Sequence, residues 1–202
     1  TGTERDLLRR WVAEGAEYQD HWAFLPIKRP EVPASPSENP IDAFIEAKLA
    51  ESGLQPAPDA KPITLIRRVF LDLTGLPPPP ADLAYLSDWS DEKYTALVDR
   101  LLASPNYGER WARHWLDMAR YADSNGFLGD GLRPNAWRYR DWVIDAVNRD
   151  MPFDQFTIEQ IAGDLLPNTT HEQLTATGFH RNAALNTEAG VDKEEARYQN
   201  LV

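Results

Sequence analysis

The chain has 202 residues and a formal net charge of −11, from 32 acidic residues against 21 lysines and arginines, and it contains no cysteine. The acidic balance argues against a nucleic-acid partner, because neutralising phosphates requires a basic face. Without cysteine, disulfides, thiolate catalysis, Cys-ligated metal and covalent c-type haem are excluded within these residues, and we expect no cofactor in this chain. The longest apolar runs span only a few residues, which predicts no membrane span.

The first forty residues are predicted to form an amphipathic helix and a proline-rich connector. Within residues 4–18, one helical face collects the apolar side chains of Leu7, Leu8, Trp11 and Val12. Between residues 21 and 40, five prolines occur at intervals of three or four, which blocks a helix and favours an extended, polyproline-like path. We therefore expect the connector to run over a surface.

The next segments carry the start and stop signals of two helices. Asn39 followed by Pro40 predicts a cap and a first turn, and Gly53 ends that helix. Thr64 is expected to cap the following helix, which Gly75 ends.

The second half of the chain is predicted to be helical with short loops. Ser90 begins one helix, and Thr170 with Gln173 forms a capping box at the start of another. No segment alternates with period two in β-branched residues. The predicted class is therefore all-α, an irregular multi-helix domain with a proline-rich N-terminal connector. Its further helices are expected over residues 106–122, 135–149, 153–162, 171–179 and 193–202.

The helix at 106–122 carries an aromatic face and, beside it, a polar edge. We expect the aromatic face to lie in the core, because large aromatic side chains are usually buried. It comprises Trp111, Trp115, Met118, Ala119 and Ala122. The polar edge consists of residues three or four positions apart, which stack along a helix. These are Arg110, His114, Asp117 and Tyr121.

His114, Asp117 and Tyr121 are the candidate catalytic residues of this edge. A carboxylate one turn from a histidine orients the imidazole and raises its pKa, as a general acid or base requires. The same arrangement arises when a half-buried histidine simply needs a hydrogen-bond partner. A structural pair of His114 and Asp117 is therefore the competing interpretation.

A Gly- and Asp-rich loop joins the helices at 106–122 and 135–149. Its glycines do not follow the dinucleotide-binding spacing, and it lacks the closing glutamate of a calcium EF-hand. The loop is either functional or a plain helix connection. Around it we expect the charged residues of both helices to form one polar cluster of Arg110, His114, Asp117, Arg120, Asp123, Arg138 and Arg140.

The acidic segment at 186–195 is the candidate metal site. Glu188, Asp192 and Glu195 offer carboxylate oxygens, which suit Ca²⁺ or Mg²⁺, and two such carboxylates also suit glycoside hydrolysis. The alternative is that Asp192 and Glu195 form a capping box for the last helix.

Six blocks follow one another along the chain: HWAF at 21–24, NPIDAF at 39–44, LDLTGLPP at 71–78, YGERWARHWLD at 107–117, RPNAWRYRD at 133–141 and AGD at 162–164. In this order they resemble the planctomycete cytochrome C domain of the second type, a domain of unknown function. The resemblance spans roughly residues 21–202. Residues 4–18 resemble the closing helix of the cytochrome c-like domain that often precedes it.

The resemblance implies a domain division and a setting. Residues 1–20 would be the C-terminal helix of a preceding cytochrome c-like domain, and residues 21–202 a helical domain truncated at its C-terminal end. In the family the chain continues into a C-x-x-C-H haem-attachment motif, so haem c is expected in the full-length protein. The implied location is exported, in the periplasm or at the cell surface. Neighbouring domains of the same polypeptide are the expected partners, with a carbohydrate or redox partner as a further candidate.

Three functions remain open from the sequence. The first is a helical scaffold or interaction domain of an exported haem-bearing redox protein, without catalysis in these residues. The second is a carbohydrate-active or other hydrolytic domain using His114, Asp117 and the carboxylates at 188–195. The third is a calcium-stabilised binding module centred on that acidic segment.

Overall fold

The computed structural model describes residues 2–83, 89–125, 130–183, 192 and 194. Within these ranges the regular elements are eight α-helices with short 3₁₀ segments, so the all-α prediction is confirmed. Their β pairing is an isolated antiparallel bridge between Ser124 and Leu132. No helix in the described part of the chain has the length and apolar character needed to cross a bilayer.

The helices are, in chain order, α1 Gly2–Ala13, α2 Pro40–Glu51, α3 Pro62–Thr74, α4 Asp91–Leu102, α5 Pro105–Met118, α6 Trp137–Asn148, α7 Phe153–Ala162 and α8 His171–Ala176. A 3₁₀ segment, Thr177–Asn182, continues directly from α8. The predicted bounds of α7 are confirmed. The helix predicted at 193–202 lies outside the described residues.

The chain divides into two compact units, Thr1–Pro58 and Asp59–Val202. In the first, α1 and α2 flank a connector that is extended apart from the 3₁₀ turn Trp22–Phe24, as the prolines predicted. Asn39 caps α2 as expected, because its side chain accepts a hydrogen bond from the Ile41 amide. The predicted division between residues 20 and 21 stays a prediction.

Helix ends follow local signals in most places. Ser90 caps α4, and Thr170 with Gln173 forms the predicted capping box of α8. Gly75 ends α3 with a left-handed φ of 71°. The prediction that Thr64 caps α3 is wrong. The helix already begins at Pro62, because the fixed φ of proline suits the first turn.

Helix α5 ends at Met118, four residues earlier than predicted. Arg120 takes a left-handed φ of 56°, and the Tyr121 amide donates to the Leu116 carbonyl at 2.9 Å. This is the hydrogen bond of a Schellman end, here formed without glycine. The chain therefore turns away before it reaches Asp123.

The second unit contains two hydrophobic cores. The first, which we call the aromatic core, joins α5, α6, α7 and α8 and consists of Ala112, Leu116, Tyr139, Trp142, Val143, Ala146, Phe156 and Ala176. The second, the aliphatic core, joins α3 and α4 and consists of Ile66, Val69, Phe70, Leu97 and Leu101.

The predicted core face of α5 needs correction. Trp115 packs against the aromatic core, but Trp111 is 42% exposed and Met118 is 70% exposed. The buried face is instead formed by Gly108, Ala112 and Leu116. Small residues occupy this face because α6 lies very close to it. A Cβ on Gly108 would come within 2.5 Å of the Asn148 side chain. Ala119 is only half-buried and Ala122 is exposed.

Candidate functional site

Three polar side chains are hydrogen-bonded to one another inside the aromatic core. The Trp115 indole donates to Gln160 Oε1 at 2.9 Å and to the Tyr139 hydroxyl at 3.1 Å, and that hydroxyl donates to Gln160 Oε1 at 2.6 Å. Burial raises the pKa of Tyr139 to about 12, because the phenolate would lose its hydration. These three side chains, the core triad, join α5, α6 and α7, and they hold the neutral Tyr139 in one position.

A second polar group lies where α5 leads into the loop. The Tyr121 hydroxyl donates to Asp123 Oδ1 at 2.6 Å, and Arg140 forms an ion pair with Asp141 at 2.9 Å. Burial, reinforced by the bond to Asp123, raises the pKa of Tyr121 to about 12. A phenol with so high a pKa does not act as a base near neutral pH, so this group favours a structural role for Tyr121.

The Gly- and Asp-rich loop is closed at its base like a short hairpin. The Arg133 amide donates to the Asp123 carbonyl at 2.7 Å, and the Asn125 amide donates to the Gly131 carbonyl at 3.0 Å. The Arg133 side chain extends this closure by donating from Nε to Asn125 Oδ1 at 2.7 Å. The two ends of the loop are thereby joined to each other, a few residues before α6 begins.

Arg133 also fixes the end of the 3₁₀ segment. Its guanidinium donates to the main-chain carbonyls of Arg181 at 3.1 Å and Ala183 at 3.3 Å. Among the described residues, the three acceptors of this side chain, Asn125 included, are neutral, so they do not compensate its positive charge. One arginine thus ties the loop, the start of α6 and the 3₁₀ segment together.

The space between these three elements is a cavity of about 510 Å³, which we call the arginine cavity. Three of its lining residues are Arg133, Arg138 and Arg181, and the described lining contains no aspartate or glutamate. Asn182 lines it too, is only 8% exposed, and has no hydrogen-bond partner for its Nδ2. The described walls therefore present donors and positive charge.

A second, smaller cavity of about 310 Å³ lies on another side of α6. It is lined by aromatic and ionic groups: Trp137, Arg138, Asp141, Trp142, Asp145, Arg149, His171, Glu172 and Thr175. The Trp142 Nε1 has no partner, while Arg149 and Glu172 neutralise each other in an ion pair at 3.1 Å. This cavity combines both signs of charge and gives no single electrostatic preference.

The candidate catalytic residues do not form a paired site. His114 and Asp117 are both exposed, and among the described contacts no hydrogen bond or ion pair joins them. The His114 ring lies instead against Trp111, with ring centroids 5.3 Å apart. Neither the structural pair nor a His–Asp catalytic pair is therefore supported by this geometry.

The residues of the predicted polar cluster lie in several places. Arg110 packs its stem near Gly75 and leaves Nε without a partner, while Arg120 forms the turn at the end of α5. Asp123 contacts Tyr121, and Arg140 contacts Asp141. Arg138 stacks over Trp137 at 5.6 Å and lines the arginine cavity.

Of the three candidate metal ligands, the structure describes only Asp192. Glu188 and Glu195 lie outside the described residues, whereas the Asp192 side chain accepts a hydrogen bond from the Glu194 amide at 2.9 Å. That bond is of the kind a helix-capping aspartate makes. Within the portion of the chain that is described, no group of three His, Asp or Glu residues is arranged to hold a metal ion.

Sequence reasoning missed Arg181 and Asn182 and gave Arg133 no functional role. All three lie in a loop or in the short 3₁₀ segment, where no periodic pattern distinguishes a buried face from an exposed one. One signal was available, because Arg181 has no acidic residue within four positions on either side. An arginine without a local counter-charge keeps its forked donors available for a distant acceptor or an anion.

Comparison with known protein families gives a match over most of the chain. The sequence model of PSCyt2, described as a protein of unknown function (DUF1549), matches residues 40–202. This match agrees with the resemblance drawn from the six blocks. No curated protein and no solved structure matches the chain.

Proposed function

The chain belongs to the PSCyt2 family of proteins of unknown function, and we propose that it serves as a helical scaffold and interaction domain of an exported, haem-bearing redox protein. In this role it holds neighbouring domains of the same polypeptide and performs no catalysis itself. A fold alone does not supply a function. The proposal therefore depends on what the surface and the polar groups of this chain offer.

The observation that carries the proposal is that α7 exposes apolar side chains on the face opposite the core. Its inner face buries Phe156 together with the polar side chains of Glu159 and Gln160. Its outer face exposes Ile158 and Ile161, and in the 3₁₀ turn Gly163–Leu165 that follows α7, Leu165 is 80% exposed. Residues three apart share one side of a helix, and apolar side chains exposed close together mark a surface for a partner. These three residues, the outer stripe, support docking of a neighbouring domain.

The polar groups of this unit support a non-catalytic role. The buried ones include Gln160 of the core triad, which joins three helices, and Glu159, which accepts hydrogen bonds from the Gln155 and Gln173 side-chain amides. General acid–base catalysis needs a group held at a pKa near the working pH. Tyr121 and Tyr139 both have pKa values raised to about 12, far from that range. Among the described contacts, no carboxylate orients His114. The geometry thus favours stability over turnover.

The histidines support a haem that is held elsewhere in the polypeptide. Non-covalent haem ligation needs a histidine beside an apolar slot. A cavity of about 470 Å³ is lined by Leu102, Tyr107, Trp115, Phe153 and Phe156 among others, and its described lining includes no histidine. His171 lines the cavity of about 310 Å³, whose walls also carry five charged side chains. The His180 Nε2 is already engaged, 3.0 Å from the Ile161 carbonyl oxygen.

The interaction role is tested by covalent surface labelling of this chain and of the longer polypeptide that contains it. We expect Ile158, Ile161 and Leu165 to be labelled strongly in the isolated chain and protected in the longer protein. Ile63 on α3, exposed in the isolated chain, is the internal reference. Equal labelling of the outer stripe in both proteins would exclude it as a docking face.

The haem-bearing setting is tested separately. The longer polypeptide, produced in a host that matures c-type cytochromes, is expected to show covalent haem absorbance, whereas this chain mixed with haemin gives no sharp stoichiometric Soret band. A longer polypeptide without haem would remove the redox setting and leave the docking result standing. A Soret band that disappears in a single histidine variant of this chain would make the domain itself a haem protein.

A further inference from the structure

We propose that the arginine cavity binds a small organic anion, through a carboxylate or a tetrahedral oxyanion held by Arg133, Arg138 and Arg181. This site goes beyond the scaffold role, and it stands on the charges, the burial and the shape of the cavity alone. It depends neither on haem nor on the outer stripe of α7.

The charge distribution is the first argument. The chain carries a net charge of −11, yet three arginines line one cavity whose described walls contain no carboxylate. None of the three forms an ion pair with any described acidic residue. Guanidinium groups offer forked N–H donors that match the paired oxygens of a carboxylate or phosphate. An anion in the cavity would supply the missing counter-charge.

The unpartnered amide of Asn182 is the second argument. This side chain is more than nine-tenths buried, and its Nδ2 has no hydrogen-bond partner. Buried donors in folded proteins are nearly always paired, so an orphan donor on a residue that lines a cavity indicates a ligand atom that accepts. The oxygen of a bound anion is such an acceptor. It would contact Asn182 and the arginines from the same space.

The cavity is also held in shape before any ligand binds. Arg133 is fixed by three neutral acceptors, two of them the main-chain carbonyls of Arg181 and Ala183. Gly178 lets the 3₁₀ segment approach α6, because a Cβ there would lie 2.9 Å from the Tyr139 Cβ. Tyr139 is in turn fixed by the core triad. A site fixed in this way loses little entropy on binding, which favours affinity.

The size and the remaining walls indicate an organic ligand. A volume of about 510 Å³ falls in the range of small-molecule pockets, roughly 300–1,000 Å³, and exceeds what an inorganic ion fills. Leu132, Pro134 and Leu174 add apolar side chains to the lining. The start of α6 has no side-chain cap, and its positive dipole end lies along the same cavity. An anionic group on an apolar body fits these walls.

The test is calorimetric titration of the purified chain at pH 7 and low ionic strength, where charge interactions are least screened. The probes are benzoate and phenyl phosphate, with acetate and inorganic phosphate as their small counterparts. We expect the aromatic anion of each pair to bind more tightly than its counterpart. If benzoate and acetate bind more tightly than phenyl phosphate and inorganic phosphate, the cavity is a carboxylate site. The reverse order of affinities makes it a site for a tetrahedral oxyanion.

The variants assign the binding to the cavity. Arg138→Gln and Arg181→Gln should each weaken binding about tenfold or more, since each removes charge-assisted hydrogen bonds. Arg113→Gln, on the exposed side of α5, removes the same charge elsewhere and should leave the affinity unchanged. Equal losses in all three variants would show diffuse attraction only and would overturn the site.

Asn182→Asp gives an independent arm. This nearly isosteric change places a carboxylate among the arginines, so we expect binding of benzoate and phenyl phosphate to be lost and the melting temperature to rise. Titration of the wild-type chain without detectable binding of any of the four probes would refute the proposal. Unchanged affinity in a folded Asn182→Asp protein would refute it as well.

Discussion

The aromatic core and the aliphatic core of the second unit differ in how they are specified. In the aliphatic core, apolar side chains of α3 and α4 pack together, and the ion pair between Asp82 and Arg100, at 2.6 Å, lies beside them. In the aromatic core, stacked rings surround the core triad, whose hydrogen bonds reach from α5 to α6 and α7. Apolar packing tolerates small shifts, whereas a satisfied buried hydrogen-bond group selects one arrangement.

This difference bears on where the candidate sites lie. The arginine cavity is built on the start of α6, and the outer stripe lies on α7 and the 3₁₀ turn that follows it. Both helices are fixed by the core triad. The aliphatic core, by contrast, supports neither surface. The more precisely specified half of the unit therefore carries the features that bind, which agrees with the general need of binding sites for rigid support.

The largest effect is expected from Trp115→Ala. Removing a packed aromatic side chain from a core costs about 3–5 kcal/mol, and this change also removes two hydrogen bonds of the core triad. Denaturant unfolding measures the loss of stability. A change within about 0.5 kcal/mol would show that Trp115 behaves as a surface residue.

A substitution of the triad acceptor separates the two cores. Gln160→Leu leaves the Trp115 indole and the Tyr139 hydroxyl without their shared acceptor, and an unsatisfied buried donor costs about 1–3 kcal/mol. The matched control is Leu97→Met in the aliphatic core, where a volume-conserving swap costs less than about 1.5 kcal/mol. If Gln160→Leu proved the milder of the two in urea melts, the polar bonds would not be what specifies the aromatic core.

Alkaline pH should destabilise the aromatic core. The pKa of Tyr139 is raised to about 12 in the folded chain, while an unfolded tyrosine titrates near about 10. The folded state thus keeps a proton that the unfolded state releases, so stability is fully present below about pH 10 and is lost as the pH rises towards 12. Melting temperatures of the wild type and Tyr139→Phe across this interval check the effect. The variant should show the shallower decline, and equal slopes would contradict the assignment.

The helix ends give the smallest predicted effect. Gly75 ends α3 and Arg120 ends α5, both with left-handed φ values, of 71° and 56°. A residue with a side chain costs about 1–2 kcal/mol in this conformation. Glycine removes that strain, but its greater conformational freedom in the unfolded chain offsets part of the gain in stability. Arg120→Gly should therefore raise stability by about 0.5–1 kcal/mol, and Gly75→Ala should lower it. A stability loss in Arg120→Gly would mean that the arginine side chain has a contact worth more than the relieved strain.

Local signals allowed much of the fold to be predicted. Caps at Asn39, Ser90 and Thr170 and the stop at Gly75 follow from a few neighbouring residues, and the structure confirms them. The end of α5 was missed because its left-handed residue is Arg120, which carries no glycine signal. Such ends are decided by tertiary packing.

The candidate site was predicted less well, for a physical reason. The spacing of His114 and Asp117 places them one turn apart but does not decide their rotamers, and His114 turned to Trp111. The core triad and the arginine cavity join residues that lie 21 to 50 positions apart in the chain. The residue pattern within a single helix does not predict contacts between residues so far apart in the chain. Of the three arginines of the cavity, only Arg138 belongs to the polar cluster predicted from the sequence.

Hydrogen–deuterium exchange of the folded chain tests most directly whether the core triad makes the aromatic core the more precisely fixed of the two. We predict that the central amides of α5 and α6 exchange only through global unfolding, while those of α3 and α4 exchange through smaller openings. In Gln160→Leu the difference between the two helix pairs should shrink. Equal protection of both pairs in the wild type, or slower exchange in α3 and α4, would contradict the account.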